Sequence, residues 1–386
     1  MLTIIGNGMG DYNFDNLTIE IDNFDKIICD KNFKEDAPNI LKLSFNGAKE
    51  YILENYNQEN ILYVVTGSPL FYSAGILIAN KLPKDSIMII NNTSSKSYLL
   101  EKLFISESDV DTISLHGRDR INLTKFLTNK YTFVLCDRFT IDRIKEATKY
   151  LNSQDIEVTI GYKLGYIDEI IEQINISDYS YRNFDLTQPF VLLIKKLFVS
   201  KPIISIDSDF QTERGMITKE YKRNLSLQNL DLEPNMILWD IGAGSGSCGI
   251  EAYKRYSLKT VFFEKQSLRN KYIKSNLTTH YVCDTQLLEG NAEELFELVE
   301  PNPDRIFVGG GGVKVIARLP YLYERLNPNG IILINAITLK NLTQMIMVLN
   351  RAKIEYKVIS LSLTTYKGKL DLIEPERQLF QIKVSK

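Results

Sequence analysis

The stretch that most constrains the fold of this 386-residue chain is Ile237 to Glu251, which reads I-L-W-D-I-G-A-G-S-G-S-C-G-I-E. An apolar run, Ile237-Leu238-Trp239, ends at Asp240. Gly242, Gly244 and Gly246 follow at alternate positions, and a helix is predicted to open near Ser247. A buried strand, a tight turn and a helix start together form a cradle, because glycine lets the backbone bend sharply and approach a ligand closely. The spacing is D-x-G-x-G-x-G, distinct from the G-x-G-x-x-G of nicotinamide enzymes. Asp240, Gly242, Ala243, Gly244, Ser245 and Gly246 are therefore candidate cofactor contacts.

Apolar runs of strand length alternate with helical stretches along the whole chain, which predicts an α/β architecture. In the first half the strand candidates are Leu2-Ile5, Ile61-Val65, Ile87-Ile90, Thr112-Leu115, Thr132-Leu135, Glu157-Tyr162 and Phe190-Val199. Helices are expected at Gly75-Lys81 and Ile141-Asn152. Periodicity is lost over residues 200–215, so the boundary is placed near 200, giving domains 1–199 and 200–386. A second series follows, with strands at Ile237-Ile241, Thr260-Glu264, Gln286-Leu288, Arg305-Val308 and Ile331-Asn335. Its helices are Ser267-Asn276, Val313-Leu326 and Leu339-Arg351, and Lys353-Leu363 with Gln378-Val384 reads as a closing hairpin.

Composition narrows the function classes. The net charge of -2 and pI near 6.0 disfavour a surface that tracks nucleic-acid phosphates. Four scattered cysteines, Cys29, Cys136, Cys248 and Cys283, form no C-x-x-C pair and fit reduced thiols of a cytoplasmic protein. With only His116 and His280 besides, no metal cluster is expected. Residues 1–20 carry no signal-peptide pattern, and no apolar run reaches bilayer-spanning length.

The glycine loop resembles the S-adenosylmethionine cradle of class I methyltransferases. Glu264 ends the next strand, where a carboxylate can accept ribose hydroxyls; the alternative is a solvated strand-end glutamate. Asn291, with Ala292, follows the third strand, where this fold commonly contacts adenine. The run Gly309-Gly312 follows the fourth strand, and Gly310 and Gly311 leave room for a large substrate; the alternative is a flexible turn. I-T-K-E-Y-K-R, W-D-I-G-A-G-S-G-S, E-G-N-A, V-G-G-G-G and N-A-I-T-L-K together resemble the decarboxylating precorrin methyltransferases over about residues 205–345. The resemblance implies methylation of carbon 15 of a tetrapyrrole and loss of carbon dioxide from the acetate on carbon 12. It also implies that Thr218 reaches the cofactor, with Lys219 and Arg223 nearby. The usual T-K-R-E-V-R reads T-K-E-Y-K-R here.

The first half carries a weaker glycine turn, G-N-G-M-G-D at residues 6–11, followed by Thr66-Gly67-Ser68-Pro69-Leu70-Phe71, Asn91-Ser95, Ser114-Arg118 and Lys163-Glu169. Their order resembles the tetrapyrrole methylase fold, specifically the carbon 5 precorrin methyltransferases, over about residues 1–195. The resemblance implies cofactor contacts at Met9, Thr66, Gly67, Ser68, Phe71, Ser94 and Ser95. Proline is usual in place of Met9, aspartate in place of Ser68 and asparagine in place of Lys163. His116 and Arg118 are candidates for pairing with substrate carboxylates, or else a strand-end cap and a surface cation. Arg214, Lys219, Arg223 and Arg318 are read the same way. The whole then resembles a fusion of two methyltransferase families, and relatives of both imply self-association. A nucleic-acid methyltransferase, and a chain whose first half only binds or oligomerises, are the rival readings. No protein nucleophile or general acid is identified.

Overall fold

The computed structural model describes residues 1–177, 183–310, 312–368 and 372–386. Its contacts divide into two compact units. The first comprises Met1–Arg118, Asn129–Thr140 and Glu157–Lys195; the second comprises Asp119–Thr128, Ile141–Ile156 and Lys196–Lys386. The division differs from the expected cut near residue 200. Residues 119–128 and 141–156 precede that cut but belong with the C-terminal residues. The reason is packing that no local pattern announces. Tyr150 packs against the cluster formed by Phe210, Ile250, Phe262, Ile273, Leu277 and Val282. The Asp284 amide donates to the Ala147 carbonyl at 2.8 Å.

In the first unit, β1 (Leu2–Gly6), β2 (Lys26–Cys29), β3 (Ile40–Lys42), β4 (Ile61–Val65) and β5 (Ile87–Ile90) form a parallel sheet in the order β3-β2-β4-β1-β5. Every residue of β1 and β4 is buried. Helices on a parallel sheet cover both faces, so such strands read as continuous apolar runs. The helices of this part are α1 (Phe45–Asn55), α2 (Ala74–Ala79) and α3 (Ser95–Lys102). Each begins at a serine (Ser44, Ser73, Ser94) whose hydroxyl accepts an otherwise orphaned backbone N–H. A second sheet contains β6 (Val110–Ser114), β7 (Tyr131–Leu135), β8 (Ile156–Tyr162), β9 (Ile170–Ile174) and β10 (Phe190–Lys196) in the order β6-β7-β10-β8-β9.

The second unit holds α4 (Thr140–Ala147) from its Ile141 onward, shorter than the helix expected to Asn152. After α5 (Glu220–Asn229) comes the main sheet: β11 (Ile237–Ile241), β12 (Lys259–Glu264), β13 (Gln286–Glu289), β14 (Arg305–Val308) and β15 (Ile331–Ala336). These five run parallel in the order β13-β12-β11-β14-β15. The intervening helices are α6 (Ser247–Tyr256), α7 (Ser267–Thr279), α8 (Ala292–Leu295), α9 (Gly312–Ala317) and α10 (Leu319–Arg325), followed by α11 (Leu339–Arg351). The single helix expected at Val313-Leu326 is two, because Pro320 starts a new helix after Arg318. The tail supplies β16 (Lys357–Leu361), a small hairpin of β17 (Thr364–Lys367) and β18 (Leu372–Pro375), and β19 (Leu379–Ser385). β19 runs antiparallel between β15 and β16. The expected closing pair is present, with the small hairpin inserted in its connection. Among the described residues no helix is long and apolar enough to cross a membrane.

β11 is flanked by β12 on one side and β14 on the other. Chain order reverses there, and ligands of open parallel sheets bind at such a switch point, beyond the carboxyl ends of the strands.

Candidate active site

The glycine turn leaves β11 at that switch point. Gly242, Gly244 and Gly246 have φ of +70°, +62° and +75°, a region that side chains rarely adopt. Their surroundings differ. A Cβ on Gly242 would meet the Gly310 backbone at 2.8 Å, whereas one on Gly244 would meet nothing within 4 Å. Gly242 thus joins two strand-end loops, and Gly244 faces open space.

Two buried carboxylates brace the turn. Glu264, 3% exposed, accepts from the Gly244 amide at 2.9 Å through Oε2 and from the Gln266 amide at 2.9 Å through Oε1. It is a built-in part of the loop, not a solvated strand end. The Gly290 amide donates to the Glu264 carbonyl at 3.0 Å, which brings Asn291 and Ala292 to the same edge. Asn291 stands at the N-cap position of α8 without a side-chain capping bond, and its Nδ2 donates to Glu294 Oε1 at 3.2 Å. Asp240, 1% exposed, accepts from the Gly249 amide at 3.0 Å, so it points to the first turn of α6. Burial, with a smaller contribution from neighbouring Glu264, pushes its carboxyl up to about 7.

A pH dependence follows. The folded state favours the neutral acid, so this stabilisation is complete below the ordinary Asp value of 3.8 and is lost as pH rises towards 7. Asp240→Asn keeps an acceptor for Gly249 and removes the titration. Between pH 4 and pH 7 the melting temperature of the variant should therefore rise relative to that of the wild type. A difference that is constant with pH would refute it.

Thr218 is tied to this edge through the residues around it. Its carbonyl accepts from Arg223 at 2.7 Å. Arg223 itself corrects the sequence reading. It is fully buried, pairs with Glu251, and also donates to Asp207 at 3.2 Å and the Ser205 carbonyl at 2.6 Å. A guanidinium so enclosed holds α5 to α6 and does not meet a substrate carboxylate. Lys219 is half-exposed and 3.3 Å from Asp207. Arg318 is paired with Glu297 at 2.8 Å. Gly310 is exposed beside Gly242; Gly311 lies outside the described residues.

Asn276 was not legible in the sequence. This 1% exposed amide in α7 donates to the Ser245 carbonyl at 2.8 Å and exchanges bonds with the Gln211 backbone at 2.8 and 3.0 Å. It clamps the glycine turn to the segment before α5. An asparagine late in a polar helix carries no sequence signal for that role.

The first unit assembles its own loop cluster at the carboxyl ends of β1, β4 and β5. Gly8 and Gly67 exchange backbone hydrogen bonds at 3.1 and 3.0 Å, which sets Met9 beside Thr66-Gly67-Ser68. The Ser68 hydroxyl, 5% exposed, donates to Asn91 Oδ1 at 2.6 Å and accepts from the Leu70 amide at 3.1 Å. Ser94 is the buried cap of α3, with Ser95 its first residue. Met9 and Phe71 pack against a cluster containing Leu99, Phe133, Leu164 and Val191. A Cβ on Gly67 would meet nothing within 4 Å. Lys163 sits at φ +47°, a region in which asparagine is enriched over lysine. His116 and Arg118 are exposed just past β6, and His116 Nδ1 is 3.3 Å from the Cys136 carbonyl.

A family model described as a precorrin methyltransferase domain matches residues 209–386. A precorrin-6Y C(5,15)-methyltransferase [decarboxylating] of Sinorhizobium sp. is 25% identical over 285 residues, covering 72% of this chain and 68% of the relative. A probable cobalt-precorrin-6B C(15)-methyltransferase (decarboxylating) of Pyrobaculum calidifontis is 30% identical over 158 residues, covering 39% of this chain and 79% of the relative. A solved structure of a precorrin-6y C5,15-methyltransferase from Geobacter metallireducens GS-15 is 30% identical, covers 49% of this chain and 100% of its own, and superposes with a TM-score of 0.46. With the glycine turn, Glu264 and the strand order around β11 in place, the chain is a methyltransferase and belongs to the family of decarboxylating precorrin C(15)-methyltransferases.

Proposed function

We propose that the C-terminal unit methylates carbon 15 of precorrin-6B, or of its cobalt form, and removes the carbon 12 acetate carboxyl as carbon dioxide. The N-terminal unit, in a tetrapyrrole methylase fold, then methylates carbon 5, and the product is a precorrin-8. The two activities divide broadly as 1–199 and 200–386, with 119–128 and 141–156 lent to the C-terminal unit. The observation that carries the reading is the open space over Gly244 beside buried Glu264. Each Glu264 oxygen holds one backbone N–H and retains a lone pair for a ribose hydroxyl. For the N-terminal activity the support is the paired Gly8 and Gly67 loops. The Sinorhizobium alignment adds to it, covering more of the chain than residues 209–386 contain. Thr66, Gly67, Ser68, Met9, Phe71, Ser94 and Ser95 are assigned to that second cofactor.

Bound in each unit, S-adenosylmethionine supplies an electrophilic methyl group. The turn from Gly242 to Gly246 lets the backbone close on it, and Glu264, Asn291 and Ala292 fix the nucleoside end. The enamine-like ring carbon is its own nucleophile, so the work of the residues is to hold it in line at about 3 Å. The bond to the carboxyl breaks, its electron pair passes into the ring, and the methylene left behind takes up a proton from solvent to become a methyl group. A cytoplasmic, self-associating protein acting on a free tetrapyrrole fits this reading.

One experiment tests it. Incubation with metal-free and with cobalt-containing precorrin-6B, followed by mass analysis, should give a product that has gained two methyl groups and lost one carbon dioxide. One methyl gain with decarboxylation would favour the alternative in which the N-terminal unit only binds, an outcome that the committed Ser68 hydroxyl makes worth testing. Glu264→Ala should weaken the cofactor at the C-terminal site by roughly 1.5–3 kcal/mol, about ten- to a hundredfold, as the loss of charge-assisted hydrogen bonds implies. Unchanged affinity in calorimetry would remove Glu264 from the site.

A further inference from the structure

The edge of the sheet that carries the glycine turn also carries large apolar side chains left in solvent. Val313 is 59% exposed in the first turn of α9. Ile337, 61% exposed, follows β15 directly, and Leu339, 74% exposed, is the first residue of α11. The same helices satisfy their core with other residues: Val315 and Ile316 from α9, Leu342 and Met345 from α11. The exposed three are surplus to packing, and a group of exposed apolar residues is an informative departure from a soluble surface. α9 packs on α11, so Val313 and Leu339 begin neighbouring helices. β14 and β15 run parallel to β11, so all three residues lie at the edge from which Gly242–Gly246 emerges. A Cβ on Gly242 would meet the Gly310 backbone at 2.8 Å, so the end of β14 stands beside the turn. Lys314 and Lys340 are exposed beside it, and Lys314 is only loosely held, 3.7 Å from Glu293.

We propose that Val313, Ile337 and Leu339 form a shelf for the flat face of the tetrapyrrole, with Lys314 and Lys340 meeting carboxylates on its rim. This rests on the substrate class given above. A macrocycle presents an apolar face and an acidic perimeter, and the shelf presents the complement of both. The residues are specificity determinants, since they orient the ring without touching the reacting methyl.

The test is Ile337→Ser with Leu339→Ser in the full chain, and Lys340→Glu separately. Binding is read by absorbance titration with a corrin polycarboxylate, turnover by carbon dioxide release from precorrin-6B, and cofactor affinity by calorimetry. The double variant should bind the corrin at least about tenfold more weakly and raise KM, with cofactor affinity unchanged, because apolar contacts of this size discriminate by ten- to a few hundredfold. Lys340→Glu should weaken corrin binding most at low salt. Equal corrin affinity in wild type and double variant would overturn the shelf. A change of oligomeric state in sedimentation, with corrin affinity intact, would assign the face to a second copy of the chain and overturn it as well. Wild type that binds the corrin without turning over precorrin-6B would count against the proposed reaction and leave the shelf standing.

Discussion

Replacing Gly244 by valine should abolish cofactor binding in the C-terminal unit and leave that unit folded. The space above Gly244 is empty of protein atoms, so no neighbour has to move when a branched side chain enters it. The penalty is confined to the backbone at φ +62°, about 1–2 kcal/mol for a residue with a Cβ. Domains are commonly stable by about 5–15 kcal/mol, enough to absorb it. The ligand has no such freedom, because the valine methyl groups stand where it must approach. On the proposed two-site reading, calorimetry should fall from two cofactors per chain to one, carbon dioxide release should cease, and the melting curve should change little. Carbon 15 methylation at the wild-type rate would refute the cradle. Gly242→Ala is the instructive contrast, since its Cβ meets the Gly310 backbone at 2.8 Å and forces two loops apart.

Cutting the chain near residue 200 should yield two poor fragments in place of two working enzymes. A fragment of residues 205–386 loses Tyr150 from the Phe210–Val282 cluster and the stacking of Phe198 on Tyr281, whose rings are 4.0 Å apart. It also leaves the Asp284 amide without the Ala147 carbonyl. The two aromatic contacts together contribute roughly 2–4 kcal/mol. The fragment should melt several degrees below the same unit in the full chain. The complementary fragment keeps residues 141–156 with nothing from 205–386 to pack against, and should aggregate. Melting followed by circular dichroism decides the matter: equal transitions in fragment and full chain would mean that 141–156 adds nothing to the C-terminal unit.

The parallel core was the most legible part of the fold. Ile61–Val65, Ile87–Ile90, Ile237–Ile241 and Arg305–Val308 have the bounds that their apolar runs suggested, because burial on both faces leaves an unbroken signal. Peripheral elements were not. β2 is a four-residue K-I-I-C, and β9, I-I-E-Q-I, lies at a sheet edge with no buried residue and no two-residue alternation. In the site, the glycines and Glu264 follow from local spacing, since the turn needs φ > 0 and the strand end needs an acceptor. Arg223 and Asn276 do not. Their roles depend on Glu251, Ser205, Ser245 and Gln211, partners brought near only by the finished fold. A cation beside a binding motif looks like a ligand group until its own burial is known.

The lending of residues 119–128 and 141–156 to the C-terminal unit has a consequence for biosynthesis. Tyr150 leaves the ribosome well before Phe210, and the buried cluster it packs against is complete only with Val282. At about 5–20 residues per second, that interval is on the order of ten seconds. Throughout it, Tyr150 is on a nascent chain in which the cluster it joins is not yet complete. The N-terminal sheet can close around β1 and β4 while synthesis continues, but the molecule is complete only when its last third arrives. The first unit holds no residue beyond Lys195, so the order of appearance makes the C-terminal unit the one that finishes last.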